Sequence, residues 1–249
     1  MRNLIKADMQ RILRKKSIWL AFIFMIVIVA GEILYKVNVA PDRNLGFAVA
    51  VSDSIGYVGL VLGIILVLNI YADDFKASTY INIVGHGISR LKYIITKYLD
   101  AMILLVAMYV LACVLIFGLK VGLGVQLSSL EMRFMWCNLL CEIIPVAASI
   151  SIASLFYFQT GNNALGMLVY LGIELVIPVA IEFIKTNPTV VKYHLDRIYL
   201  TDVCSSMLDD LVMRQTGAGL LKLILVIAVY VVAAIVGTII LFRKKELDF

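Results

Sequence analysis

Six stretches of about 20 mostly apolar residues recur along the chain, at about 17–36, 54–72, 98–119, 134–158, 163–184 and 220–242. A helix needs about that length to cross the hydrocarbon core of a bilayer. Backbone N–H and C=O groups find no water there, so each stretch must close its own hydrogen bonds as a helix. The expected fold is therefore an all-α polytopic membrane protein, a single transmembrane domain over 1–249 with six transmembrane helices. Composition agrees: 62% of residues are hydrophobic and 16% charged, against roughly 25% charged in a soluble domain. No soluble catalytic domain fits between the spans, so any energy source other than an ion gradient must come from a partner. The first stretch reads as a retained helix. Ile18 through Leu34 is longer than the roughly 7–15 apolar residues of a signal peptide, and it runs into Tyr35 and Lys36.

Lysine and arginine near span ends set orientation. Arg2, Lys6, Arg11, Arg14, Lys15 and Lys16 precede the first span; Lys76, Arg90, Lys92 and Lys97 lie between the second and third; Arg243, Lys244 and Lys245 follow the sixth. These are 13 of the 22 basic residues, and six spans put all three groups on one side. Both termini and the 72–97 loop are thus expected in the cytoplasm, with a bacterial plasma membrane as the location. The net charge of +5 is mostly this topology signal, and it gives no reason to expect a nucleic-acid partner.

Residues 1–16 read as an amphipathic helix, with Ile5, Met9, Ile12 and Leu13 on one side and Asn3, Lys6, Gln10 and Arg14 on the other. That pattern suits a helix in the inner headgroup layer with its basic face on anionic lipid; the plainer reading is a positive flank. The polar loop 72–97 carries more order than topology needs. Asp73 or Asp74 is a good N-cap, no proline or glycine follows for ten residues, and Gly85 and Gly87 bracket His86 as a stop. A short helix from Phe75 to Val84 is expected, weakened by β-branched Thr79, Ile81, Ile83 and Val84 and so dependent on docking. Ser89 then caps a helix whose apolar stripe is Leu91, Ile94, Ile95, Tyr98 and Leu99, with Arg90 and Lys97 polar, leading into the third span.

Asp74, Phe75, Thr79, Gly85, the Ile88-Ser89-Arg90 run and Lys97 together resemble the cytoplasmic loop of type-2 ABC transporter permeases. The family often has a glutamate, a Gly-Thr pair and a Pro-Ile-Ser-Arg turn there, and Asp74, Ser78-Thr79 and Gly87 depart from it. The likeness extends over essentially the full length, from the opening Asn3-Leu4-Ile5-Lys6-Ala7-Asp8 through "RILRKKSIW" to the basic "FRKKELDF" end. It implies a coupling helix between spans two and three that seats in a groove of a separate ATP-binding subunit. Two permeases, identical or paralogous, pair with an ABC ATP-binding subunit dimer that holds ATP and magnesium; the permease itself binds no cofactor and is not an enzyme. Asp73, Asp74 and Lys76 would orient the contact, Phe75 and Tyr80 would anchor it, and Thr79 and Arg90 complete the coupling set. The plainer reading is a solvated loop whose charges fix topology. No Gly-x4-Gly-Lys-Ser/Thr run occurs in the sequence, so hydrolysis is expected elsewhere.

Carboxylates inside spans are costly and usually face a bundle interior, a partner or a cavity. Glu32 and Glu182 fall near the outer ends of their spans, Glu142 about a third of the way in, Glu174 near the middle, and Asp100 at the cytoplasmic start of the third span within reach of water. One reading makes Glu142 and Glu174 part of a translocation path for cationic or amphipathic cargo, with antimicrobial or toxin-like peptides first and lipophilic drugs or lipids second. The other makes them protonated or hydrogen-bonded struts. In the resembled family spans two and five border the path, which suits Glu174. Pro178, four residues on, removes a backbone bond and is expected to bend span five. The outer connector 185–219 is expected to hold short helices, one capped by Thr201 or Asp202 and closed by Gly217, with His194 an exposed loop residue. Cys113, Cys137 and Cys141 lie in spans and Cys204 stands alone, which points to packing rather than a disulfide or metal site. Two rivals remain. A secondary transporter would use Glu142 and Glu174 as proton sites and show inverted repeats and broken helices; an intramembrane enzyme would need a paired constellation, and Glu174 and Glu182 lie about 80° apart around a helix.

Overall fold

The computed structural model describes residues 2–76, 83, 85–184 and 218–244. Among them the order is α1 (Arg2–Leu13), α2 (Lys16–Val39), α3 (Arg43–Lys76), α4 (Arg90–Gly122), α5 (Ser129–Thr160), α6 (Asn163–Leu171), a π-helical turn (Gly172–Val176), α7 (Ile177–Ile184) and α8 (Ala218–Lys244). Six helical runs are long and apolar enough to cross a membrane: α2, α3, α4, α5, the α6–α7 run and α8. The chain is all-helical among the described residues and has the length and polarity of a multi-pass membrane protein.

The centre of the bundle is α3 and α5. Their apolar windows are 50% and 56% buried, against 17% to 33% for the other four spans. α3 packs on α2, α4, α5 and α6, and α5 packs on α8 and α6. The outward faces stay apolar, for example Trp19, Leu20, Ile23, Phe24 and Val27 along α2. Lipid tails are as apolar as these side chains, so close packing and interhelical hydrogen bonds must hold the helices together.

Local chemistry explains the turns. Pro41 follows the end of α2, and α3 begins at once at Arg43. Gly46 permits this tight reversal, since a Cβ there would lie 2.7 Å from Ala40 Cβ and 2.8 Å from the Lys36 carbonyl oxygen. Ser128 and Glu131 form a capping box at the start of α5, with the Ser128 N–H donating to Glu131 Oε2 at 2.6 Å. Gly161, at φ 70°, closes α5, and the Asn162 side chain accepts from Ala164 N–H to open α6. Gly87, at φ 90°, and the Ser89 cap set the start of α4, as the sequence leads one to expect.

Three expectations change. The helix of the second span does not stop at 72: α3 runs on through Asp73 and Asp74 to Lys76, so neither aspartate caps a new helix at Phe75. A run with no proline or glycine before Gly85 gives the helix no reason to break there. Residues 77–82 and 84, including Thr79 and Tyr80, lie outside the described residues, as do 185–217 with His194, Thr201, Asp202 and Cys204. The first span also runs on to Val39, and the helix of the second begins earlier than expected, because α3 takes in 43–53. Finally, the buried side of the α4 root is not the stripe read from hydropathy. Tyr93, Ile94, Lys97, Tyr98 and Asp100 are buried, while Leu91 and Leu99 are exposed.

Candidate functional site

Polar side chains inside the bundle gather in two places. The first is at the end of the bundle that carries α1, the root of α4 and the end of α3. Lys97 is 0% exposed, and its ammonium donates to Asp8 Oδ2 of α1 at 2.7 Å. Arg11, one turn along α1, stands 3.3 Å from the other Asp8 oxygen, and the Tyr93 ring lies 5.5 Å from Lys97 Nζ. Asp100 is also 0% exposed, and its carboxylate faces that of Asp8 with no hydrogen-bond donor among the described residues. Two acids and two bases thus share one water-poor corner, and both sequence expectations for it fail: Lys97 is not a solvated topology charge, and Asp100 does not reach water. The cause is α1, which lays Asp8 and Ile12 into the bundle against α4 and leaves Asn3, Lys6, Gln10 and Arg14 outside. Leu13, grouped with the apolar side by periodicity, is half exposed.

This corner continues as a hydrogen-bonded seam. The Tyr98 hydroxyl donates to the Ser151 carbonyl at 2.9 Å, and Ser154 donates to the Tyr98 oxygen at 2.6 Å, joining α4 to α5. Lys15 donates to the Asn69 carbonyl at 2.7 Å, joining the root of α2 to α3. Tyr71, Tyr93, Tyr157 and Phe158 stack beside them, with Tyr71 and Tyr157 ring centroids 5.2 Å apart.

The second cluster is mid-span. Glu142 of α5 and Glu174 of the π-helical turn lie within electrostatic reach of one another and of Tyr109 and Tyr170. The Ser149 hydroxyl faces the Glu174 carboxylate. Both glutamates are half-buried, while Tyr109 and Ser149 are 4% and 1% exposed. The Tyr109 hydroxyl has no hydrogen-bond partner among the described residues. Tyr170 instead donates to the Gly59 carbonyl at 2.9 Å. The glycines of α3 make this approach possible: a Cβ on Gly59 would stand 2.9 Å from the Tyr109 hydroxyl, and one on Gly63 would stand 1.9 Å from that of Tyr170. Gly59 and Gly63 form a small-xxx-small pair, here receiving two phenols rather than another backbone. That spacing, passed over in the sequence expectations, is the signal that could have found the site.

Prolines shape the walls. Pro178 has no N–H, so the Glu174 carbonyl loses its ordinary i+4 donor. The helix answers with a π turn, in which the Ile177 N–H reaches back five residues to Gly172. Span five is therefore irregular where the Glu174–Pro178 spacing leads one to look, through a change of helical register. Pro145, inside α5, buried and three residues after Glu142, likewise removes the ordinary donor of the Cys141 carbonyl.

The remaining site residues divide as follows. Asp73, Asp74, Phe75 and Lys76 have their backbone in the last turn of α3, and Arg90 opens α4; Thr79 and Tyr80 are outside the described residues. Glu142 and Glu174 lie within electrostatic reach of one another, and Pro178 follows the π turn that carries Glu174. Glu32 pairs with Lys36 at 3.4 Å, and Lys36 also bonds to Asp53, which makes Glu32 a strut. No protein-family model matches this chain, and no curated protein matches it.

Proposed function

We propose that this chain is the membrane-spanning permease subunit of an ATP-driven exporter of the type-2 ABC kind. It works as a dimer with a pair of ATP-binding subunits and moves amphipathic peptides or similar lipophilic cargo out of a bacterial plasma membrane, both termini facing the cytoplasm. The observation that supports it best is the root of α4. Its residues 90–100 extend the helix by about 16 Å before the apolar run 101–119 begins, and Lys97 locks that extension to α1 through Asp8. A stiff, clamped extension next to the loop 77–89 is what a motor needs to push against. In this reading α1 lies along the inner headgroups, loop 72–97 seats in the ATPase through Asp73, Asp74, Phe75, Lys76, Thr79, Tyr80 and Arg90, and Glu142, Glu174 and Pro178 border the path.

The test is copurification with a candidate ABC ATP-binding subunit, followed by ATPase and peptide-export assays of Phe75→Ala and Asp74→Ala. Reduced peptide-stimulated hydrolysis with retained assembly is expected; active transport by the chain alone would overturn the reading. One observation favours a second reading, an ion-coupled carrier. The π turn at Glu174 is the sort of broken helix that such carriers use. A proton gradient driving uptake or efflux by the chain alone in liposomes would establish it.

A further inference from the structure

We propose that Glu142 and Glu174, together with the hydroxyls of Tyr109 and Ser149, form an intramembrane site for a primary ammonium group, such as the lysine side chain of an amphipathic peptide. This deepens the path proposed above and rests on it only for what carries the ammonium.

Charge is the first argument. The windows 17–35, 44–75, 101–119, 134–158, 163–184 and 223–242 contain no lysine, arginine or histidine. Among the described residues no lysine or arginine pairs with either glutamate, unlike Asp8, which has Lys97 and Arg11. An isolated carboxylate in hydrocarbon costs several kcal/mol, and a pair costs more, so a visiting cation relieves both.

The second argument is the idle Tyr109 hydroxyl. It is buried, unpartnered among the described residues and within electrostatic reach of both glutamates, while the buried Ser149 hydroxyl is turned to Glu174. A buried hydroxyl without a partner costs roughly 1–3 kcal/mol, which is offset if a donor arrives. Each hydroxyl oxygen accepts, as do the carboxylates. The site thus draws acceptors from three elements, α4, α5 and the π turn, within electrostatic reach of one another.

The chemistry of those acceptors selects the ligand. A primary ammonium carries three donors on a compact charge, matching two carboxylates and one or both hydroxyls. A guanidinium would need a planar fork of partners. Magnesium and calcium demand about six oxygens and retained water, and no group of three or more metal-binding side chains occurs among the described residues.

The test uses the full-length chain, purified in nanodiscs without any ATPase, and n-octylammonium as the probe by titration calorimetry. Saturable binding is expected, weakened roughly 10- to 100-fold in Glu142→Gln and Glu174→Gln, the value of a charge-assisted hydrogen bond. Tyr109→Phe and Ser149→Ala should weaken it a few-fold, and Glu32→Gln should leave it unchanged. Octyltrimethylammonium, of equal charge but without donors, should bind far less. If Glu→Gln variants do not elute as monodisperse protein, the two hydroxyl variants carry the test. Equal binding of octyltrimethylammonium, competition by millimolar sodium, or indifference to the hydroxyl variants would each overturn the proposal. Because no nucleotide is involved, failure here leaves the ATP-driven reading standing, and failure of nucleotide coupling leaves this site standing.

Discussion

Asp8→Asn is expected to release α1 from the bundle. Lys97 has no exposed surface and Asp8 is its 2.7 Å partner, so the substitution leaves a buried ammonium without a formal counter-charge at contact. Breaking a buried pair from one side costs about 3–5 kcal/mol. Asp100 sits one turn from Lys97 with a carboxylate that lacks a hydrogen-bond donor among the described residues, and its charge recovers part of that loss. A net cost of about 3 kcal/mol follows, or roughly 150-fold in the docking equilibrium of α1. The assay is maleimide labelling of Ile12→Cys, at a position that is 0% exposed, with the four native cysteines replaced. Labelling should accelerate on the order of a hundredfold in Asp8→Asn. Asp100→Asn, which relieves the repulsion between its carboxylate and that of Asp8, should change it little or slow it. Asp8→Leu with Lys97→Met removes both charges and should return it to near the parent rate. A change of less than threefold in Asp8→Asn, or equal effects of Asp8→Asn and Asp100→Asn, would refute the claim that this pair holds the helix.

Gly63→Ala should cost on the order of 1–3 kcal/mol by overpacking, since its Cβ would stand 1.9 Å from the Tyr170 hydroxyl; Gly31→Ala, with nothing within 4 Å, should instead gain up to about 1 kcal/mol. Thermal unfolding of the two variants side by side distinguishes them, and equal shifts would contradict the packing. Tyr170→Phe should lose only about 1 kcal/mol, the value of its hydrogen bond to Gly59. Pro178→Ala restores a donor for the Glu174 carbonyl, so the π turn should relax toward α-helix. Amide exchange over 172–178 should then slow, and unchanged exchange would separate the turn from the proline.

How much of this was legible depended on distance along the chain. The six spans were, because lipid forces every crossing to be a long apolar helix. So were the Ser89 cap and the Gly87 stop, which act over three or four residues. Lys97 and Asp100 were misread as solvated because the residue that buries Lys97 as an ion pair, Asp8, lies 89 positions away, and no local pattern carries such a pairing. The end of the second span was misplaced for a different reason. A polar pair, Asp73 and Asp74, was given the weight of a cap, although a helix emerging from a membrane can stay helical in polar surroundings. In the mid-span cluster the glutamates and Pro178 announced themselves by their cost in hydrocarbon. Tyr109, Ser149 and Tyr170 did not, since a tyrosine or serine in a span is unremarkable until the glycines opposite it are seen.

The two clusters share α4 and α5. Asp100 and Tyr109 are nine residues apart on α4, about 13 Å along one helix; Glu142, Ser149, Ser151 and Ser154 follow one another on α5, and Tyr98 binds the two helices at the upper seam. Any tilt of α4 that frees α1 therefore moves Tyr109 relative to Glu142. Shared structure alone is only a spatial argument, but thermodynamic linkage makes it testable. If Asp8→Asn changes n-octylammonium affinity by some factor, saturating n-octylammonium must change the docking equilibrium of α1 by a corresponding amount in the parent protein. A coupling of about 1–3 kcal/mol, roughly 5- to 150-fold, is the ordinary range, and the Ile12→Cys labelling rate reads it directly. An affinity change in the variant with no ligand effect on labelling would mean that the substitution disturbs the site by some route other than α1 docking. Effects in both directions would make the Asp8–Lys97 lock the element through which a push at the root of α4 reaches the carboxylates in the membrane.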